Sequence, residues 1–166
     1  LDRFFFKVMV PFPTLDELVT VMARTTGTTH DEVSPVLTIE DLGRMRRTVR
    51  EVTIAPEILR YALRIVLATQ PDGRAACPTA KKFLKYGASP RGAQTLVLGA
   101  KVQALLAGRP YVAISDLRAV AHSALRHRLG RSFEAEAEGL TPDMLVDRIL
   151  SEVPEAEGPA AREMRA

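Results

Sequence analysis

The chain has 166 residues, of which 46% are hydrophobic and 26% are charged, so its composition is globular rather than disordered. It contains no apolar run of about 20 residues, the length that a transmembrane helix requires. The formal net charge is +3, but residues 1–131 hold 20 basic and 11 acidic side chains, whereas residues 132–166 hold three and nine. This division predicts a basic body that faces phosphate-bearing partners, or simply two differently charged solvated surfaces.

The cysteine content indicates the cellular compartment, and the first residue indicates whether the chain is part of a longer protein. A single cysteine, Cys77, excludes an internal disulfide and favours a reducing compartment, so we expect a cytoplasmic protein. The chain begins at Leu1 rather than at Met. We therefore expect it to be part of a longer protein.

The first segment has the periodicity of a strand. Residues 4–12 alternate with a period of two, and both faces are largely apolar. Such a strand is normally covered on both sides, as in a parallel sheet, and nothing later in the chain supplies that sheet. We therefore expect residues 1–13 to be the last strand of a domain whose remainder lies upstream.

The remainder of the chain reads as helices that begin at capping or proline signals. The predicted helices lie after Thr14, after Thr38, over 56–70, over 90–107, after Ser115 and over 142–152. Residues 71–87 are predicted as loop, residues 129–140 are ambiguous, and the polar tail 154–166 is expected to be flexible. The predicted fold class is mainly α, with one strand followed by about six helices.

Several common catalytic and metal-binding patterns are absent from the sequence. It has no G-x-x-x-x-G-K-[ST] loop, no G-x-S-x-G elbow and no H-E-x-x-H motif. One cysteine and three scattered histidines build no zinc site, so no metal ligands are predicted. His127 is predicted as a surface or capping residue. Glu134, Glu136 and Glu138 are predicted as a solvated acidic rim rather than as acid–base catalysts.

The sharpest local feature is the start of the helix at residue 90. Ser89 is the predicted N-cap, Pro90 the first helical residue, and Arg91 lies in the first turn. An arginine beside free backbone N–H groups at the positive end of the helix dipole suits a phosphate. An ordinary capped helix with an exposed arginine explains the same residues. For Arg3 the residues alone favour a salt-bridged surface residue, and the alternative is an arginine that reaches into a neighbouring subunit's site.

An ordered set of motifs resembles the MoxR-type AAA+ ATPases. In chain order they are Leu1–Phe4 with the apolar segment to Pro13, Gly87–Ala93, Tyr111–Leu117, His127–Leu129 and Ser132–Leu140. Each motif is weak singly and more specific in this order. The resemblance covers residue 1 to about residue 153, and it is weakest over residues 71–85.

The resemblance implies a fold and a division of the chain. Residues 1–13 would be the last strand of the α/β ATPase core, residues 14–153 the helical AAA+ lid bundle, and residues 154–166 a polar tail. Members of the family are AAA+ ATPases that form rings, usually hexamers. They act as chaperone-like machines on partner proteins that often carry von Willebrand factor A domains. The resemblance therefore implies a homo-oligomeric ring, with no membrane as partner.

The resemblance also implies site residues and cofactors. By position, Arg3 matches the arginine finger that acts on a neighbouring subunit's ATP, and Arg91 matches the sensor-2 arginine, in cis or in trans. Ser89 and Pro90 would line the nucleotide with Arg91. The cofactors of the full-length protein would be ATP and Mg²⁺, whose ligands are not in this chain. Because the Walker A, Walker B and sensor-1 segments are also missing, this chain by itself is expected not to hydrolyse ATP.

Two alternatives stay open from the sequence. A basic helical module could bind nucleic acid through the arginines of the second predicted helix, which are Arg44, Arg46, Arg47 and Arg50. No helix-turn-helix signature accompanies them, so nucleic acid is the less favoured partner. The other alternative is a non-catalytic helical adaptor.

Overall fold

The computed structural model describes residues 1–28 and 33–156, and within these ranges the protein is mainly α-helical, as predicted. The described elements are α1 (Leu15–Thr26), α2 (Ile39–Glu51), α3 (Pro56–Ala68), α4 (Pro78–Phe83), β1 (Leu84–Tyr86), α5 (Pro90–Leu106), α6 (Ile114–Leu125), β2 (Gly130–Arg131), α7 (Phe133–Ala137) and α8 (Pro142–Glu152). The predicted tail lies largely outside the described residues. No helix within the described ranges has both the length and the apolar content needed to cross a bilayer.

Residues 4–12, predicted as a strand, form no hydrogen-bonded strand in the structure. A strand needs a neighbour to complete its backbone hydrogen bonds, and the described residues place none beside this segment. The Lys7 N–H instead donates to the carbonyl of Ser123 at the end of α6, with an N–O distance of 2.9 Å. The assignment of residues 1–13 to an ATPase core stays a prediction.

The chain divides into two compact units. The smaller unit comprises Val8–Arg46, and the larger comprises Leu1–Lys7 together with the described residues from Arg47 onwards. In the smaller unit, α1 begins with the predicted capping box, in which Thr14 and Glu17 exchange hydrogen bonds. The helix ends at Thr26, and Gly27 is its C-cap. No residue of α1 is buried.

The larger unit has a core built from α3, α5, α6 and α8. Its largest fully buried apolar side chains include Ile65, Leu96, Leu117, Leu125 and Leu145, which come from all four helices. Small residues let α5 pack closely in this core. A Cβ at Gly99 would lie only 2.9 Å from the ring of Phe6, so this glycine also makes room for the first segment of the chain.

Two regions without a helix prediction contain short elements. Residues 71–87, predicted as loop, include α4 and β1, and the ambiguous residues 129–140 include β2 and α7. β1 pairs antiparallel with β2, with Leu84 opposite Arg131 and Tyr86 opposite Gly130. Elements of two to six residues are shorter than the window in which hydrophobic periodicity can be recognised.

The predicted cap of α6 is wrong. Ser115 lies inside the helix, and the N-cap is Ala113, whose N–H donates to the Asp116 carboxylate at 2.7 Å. Arg109 fixes this carboxylate through two hydrogen bonds of 2.6 and 3.0 Å. The start of α8 is as predicted, with the Thr141 hydroxyl accepting from the Met144 N–H.

Candidate functional site

The N-terminus of α5 has the predicted construction. The Ser89 hydroxyl accepts from the Arg91 N–H at 3.2 Å, and Pro90 occupies the first helical position. Arg91 therefore lies in the first turn, and two-thirds of its side chain (67%) is exposed. Pro90 has no N–H, so its backbone offers no donor to an anion.

A buried threonine fixes the chain just before this helix. The Thr69 hydroxyl accepts from the Ala88 N–H at 2.9 Å, and Gln70 Nε2 donates to the Ala88 carbonyl at 2.6 Å. Gly87 passes so close to Thr69 that a Cβ would lie 2.5 Å from the Thr69 hydroxyl oxygen. Ala88, the residue that leads from Gly87 into α5, is therefore held by the two residues that follow α3.

Asp2 connects the first segment of the chain to α5. Its two carboxylate oxygens each lie 2.9 Å from the Ser89 hydroxyl that donates to them. Its carboxylate also lies 3.2 Å from Nε of Arg128 and 3.6 Å from Nη1 of Arg91. We call these four residues, Asp2, Ser89, Arg91 and Arg128, the Asp2 cluster.

The Asp2 cluster favours the charged form of its carboxylate. Burial alone would raise the pKa of Asp2, but the Ser89 hydrogen bond and the positive charges of Arg128 and Arg91 outweigh burial. The pKa of Asp2 is therefore lower than its ordinary value. Asp2 stays ionised over the physiological pH range and neutralises part of the positive charge around it.

Arg3 follows Asp2 directly and is exposed. Its guanidinium carbon lies 5.8 Å from the centre of the Phe4 ring, on the same short segment. The structure thus brings Ser89 and Arg91 to the residue that precedes Arg3, although the sequence separates them by more than 80 positions. This proximity was not predicted from the sequence.

Arg128 is the member of the cluster that sequence reasoning missed. Its side chain is 1% exposed, and burial lowers the pKa of its guanidinium although the Asp2 charge acts in the opposite direction. The guanidinium donates to backbone carbonyls, a hydroxyl and a carboxylate. Its acceptors are the carboxylate and the carbonyl of Asp2, the carbonyls of Phe4, Phe5 and Ala124, and the Thr95 hydroxyl.

The donors of the site fit a phosphate group only in part. Arg91 and Arg3 are exposed guanidinium groups, the donors best suited to phosphate oxygens. The Ser89 hydroxyl has a single proton, which it already donates to Asp2, so it has none left for a phosphate oxygen. The predicted nucleotide contacts of Ser89 and Pro90 therefore gain no support from this geometry and stay predictions.

A Mg²⁺ site has no ligand set in this part of the protein. In residues 1–28 and 33–156, no three His, Cys, Asp or Glu side chains come close enough to hold a metal ion together. Asp2, the one carboxylate in the cluster, is engaged by Ser89 and two arginines. These residues therefore fit a phosphate better than they fit a metal.

The structure does not place the remaining candidate residues beside groups that would make them catalytic. His127 Nε2 lies 3.0 Å from the Phe4 carbonyl, and burial lowers the pKa of this imidazole. Glu134, Glu136 and Glu138 are exposed, as predicted for a solvated rim. Glu138 pairs with Lys82 at 3.0 Å.

Comparison with known proteins gives a consistent result. A family model described as an AAA lid domain matches residues 79–149. Chaperone MoxR1 of Mycobacterium tuberculosis is 30% identical over 152 residues, which cover 92% of this chain and 40% of MoxR1. Protein MoxR of Paracoccus denitrificans is 29% identical over 166 residues, covering 92% of this chain and 49% of that protein.

A solved structure shares the fold. The crystal structure of a candidate ATPase from Cytophaga hutchinsonii superposes with a TM-score of 0.79 and 29% sequence identity, covering 92% of this chain and 47% of the other. The chain thus spans less than half the length of each of these three proteins.

Proposed function

The chain belongs to the MoxR-type AAA+ ATPases, and on that premise we propose that it carries the lid and two phosphate-facing arginines of such an enzyme. Arg91 is the proposed sensor-2 arginine, and Arg3 is the proposed arginine finger that acts on the ATP of a neighbouring subunit. The observation that carries the proposal is the Asp2 cluster. It holds an exposed arginine at a helix N-terminus beside the residue that precedes Arg3.

Arg3 and Arg91 are proposed to act electrostatically. ATP supplies the phosphoryl group that is transferred to water, and negative charge on its oxygens must be stabilised during the transfer. A guanidinium supplies a planar pair of donors to two phosphate oxygens. The Arg91–Asp2 pair is long, at 3.6 Å, and largely exposed. Such a pair is weak, so a phosphate group can compete with Asp2 for Arg91.

The remaining machinery is proposed to lie outside these 166 residues. The phosphate-binding loop and the Mg²⁺ ligands supply most of phosphoryl-transfer catalysis, and this chain has no Walker A sequence. We propose a cytoplasmic ring of identical ATPase subunits that acts as a chaperone on partner proteins, including those with von Willebrand factor A domains. The chain alone is proposed to be inactive toward ATP.

The test is ATP turnover by the full-length ATPase with Arg3→Ala or Arg91→Ala. Loss of an arginine finger lowers kcat by roughly 10³-fold or more, and we expect a fall of this order for Arg3→Ala. The matched control is Arg118→Ala, which removes an arginine that pairs with Glu155 at 2.8 Å. Control turnover should stay close to wild type. Wild-type turnover in both Arg3→Ala and Arg91→Ala would refute the proposal.

A further inference from the structure

Within the larger unit, three consecutive residues that follow α6 bind the first segment of the chain. Arg126 Nη1 lies 3.3 Å from the Lys7 carbonyl, and His127 Nε2 lies 3.0 Å from the Phe4 carbonyl. Arg128 donates to the carbonyls of Asp2, Phe4 and Phe5. We call residues 126–128 the RHR clamp. All three of its side chains bind main-chain oxygens of residues 2–7.

Arg128 makes most of these bonds and is the buried member of the clamp. Nη2 lies 2.9 Å from the Asp2 carbonyl and 2.7 Å from the Phe4 carbonyl, and Nη1 lies 3.2 Å from the Phe5 carbonyl. These acceptors lie on both sides of Arg3. A charged group that is buried against backbone carbonyls restrains the backbone strongly, because moving the segment would leave the charge without its partners.

Arg128 also contacts α5 close to Arg91. Its Nη2 lies 3.2 Å from the hydroxyl of Thr95, and the same hydroxyl donates to the Arg91 carbonyl at 2.9 Å. Asp2 adds a second connection, since it binds Arg128 and Ser89 together. One buried guanidinium therefore fixes both the backbone around Arg3 and the first turns of the helix that carries Arg91.

We propose that Arg128 is a positioning residue for ATP hydrolysis, which acts by holding Arg3 in place relative to the start of α5. This inference rests on the function proposed for Arg3. Arg128 itself touches no phosphate, because its donors are all directed to Asp2, Phe4, Phe5, Thr95 and Ala124. The clamp thereby ties the backbone around Arg3 to the helix that carries Arg91.

The test is a double-mutant cycle on ATP turnover by the full-length ATPase. Misplacing a catalytic group by about 1 Å can cost about 10²-fold, so we expect Arg128→Met to lower kcat by about this factor with little change in KM. In an Arg3→Ala background, Arg128→Met should have no further effect on kcat, because the group that it positions is already gone. Arg128→Lys keeps the positive charge but loses the planar set of guanidinium donors. Its kcat should therefore lie between those of Arg128→Met and the wild type.

Hydrogen exchange separates positioning from general destabilisation. In the nucleotide-free full-length protein, Arg128→Met should accelerate exchange of the Lys7 amide, which is bonded to Ser123 at 2.9 Å. Amides of α8 should keep their wild-type exchange. If Arg128→Met does not fold, Asp2→Asn replaces it, since this half-buried partner can lose its charge without emptying the core. The control is Arg131→Met, which removes the contacts of this side chain to the Leu140 carbonyl and to Glu136, away from residues 2–7.

The outcomes distinguish this inference from the proposed function. Wild-type kcat in Arg3→Ala would overturn the role of Arg3, while accelerated exchange at Lys7 would still show the clamp. A fall in kcat that is equally large with and without Arg3 would overturn the positioning role. Faster exchange throughout α8 would do the same, since it would show that Arg128 stabilises the whole unit rather than one segment.

Discussion

Gly87→Ala should destabilise the larger unit, because the path into α5 has no room for a methyl group. A Cβ at this position would lie 2.5 Å from both the carbonyl carbon and the hydroxyl oxygen of Thr69. Thr69, the C-cap residue of α3, is fully buried and cannot move aside without disturbing the core. The backbone at Gly87 must therefore shift, and the shift stretches the bond between the Ala88 N–H and the Thr69 hydroxyl, now 2.9 Å.

The expected loss combines two effects. Forcing an extra methyl into a packed core costs about 1–3 kcal/mol, and leaving a buried N–H without a partner costs about 1–3 kcal/mol. Because the two effects share one displacement, we expect a total of about 2–4 kcal/mol rather than the full sum. The backbone at Gly87 does not have a positive φ, so the loss is steric and not conformational.

The assay is urea unfolding of the 166-residue chain followed by circular dichroism at 222 nm. Gly87→Ala should lower the midpoint with little change in the slope m. Thr69→Val removes the same hydrogen bond without adding a methyl at residue 87, and the double variant should lose less than the two single losses combined. A free energy of unfolding for Gly87→Ala within about 0.5 kcal/mol of wild type would refute the steric argument.

Two further predictions concern titratable groups near α4. Burial raises the pKa of the Cys77 thiol to about 11, so alkylation by iodoacetamide at pH 8 should be roughly 10²-fold slower in the folded chain than in urea; equal rates would contradict a buried thiol. Burial would raise the pKa of Glu152, but hydrogen bonds from Thr79 outweigh it and lower the pKa. The stabilisation is therefore present above the ordinary value of 4.5 and is lost as pH falls through the lower folded-state pKa. Glu152→Gln should flatten the acid side of the stability curve, and an unchanged curve would contradict the assignment.

Helix starts were predictable because their determinants lie within three residues of one another. Thr14 with Glu17, Ser89 with Pro90, and Thr141 with Pro142 each specify a cap locally, and the structure confirms all three. The cap of α6 failed for the opposite reason. Its Ala113 has no capping side chain, and the cap depends on Asp116 held by an arginine outside the helix.

The candidate site was predicted only in its exposed parts. Arg91 was identified because its position in a capped first turn is visible in the sequence. Arg128 was missed because three of its partners, Asp2, Phe4 and Phe5, lie more than 120 positions away, and because an arginine beside His127 has the appearance of a surface residue. The strand at residues 4–12 was predicted from its pattern alone, and a pattern cannot supply the neighbour that a strand requires.

The clamp sets an order of events during synthesis. Residues 2–7 are made before their binding partners Ser123 to Arg128, which follow some 120 residues later in the chain. At about 5–20 residues per second, the segment waits roughly 6–25 s before it can dock. This segment is thus made early but docks late, because it has to wait for the residues that follow α6.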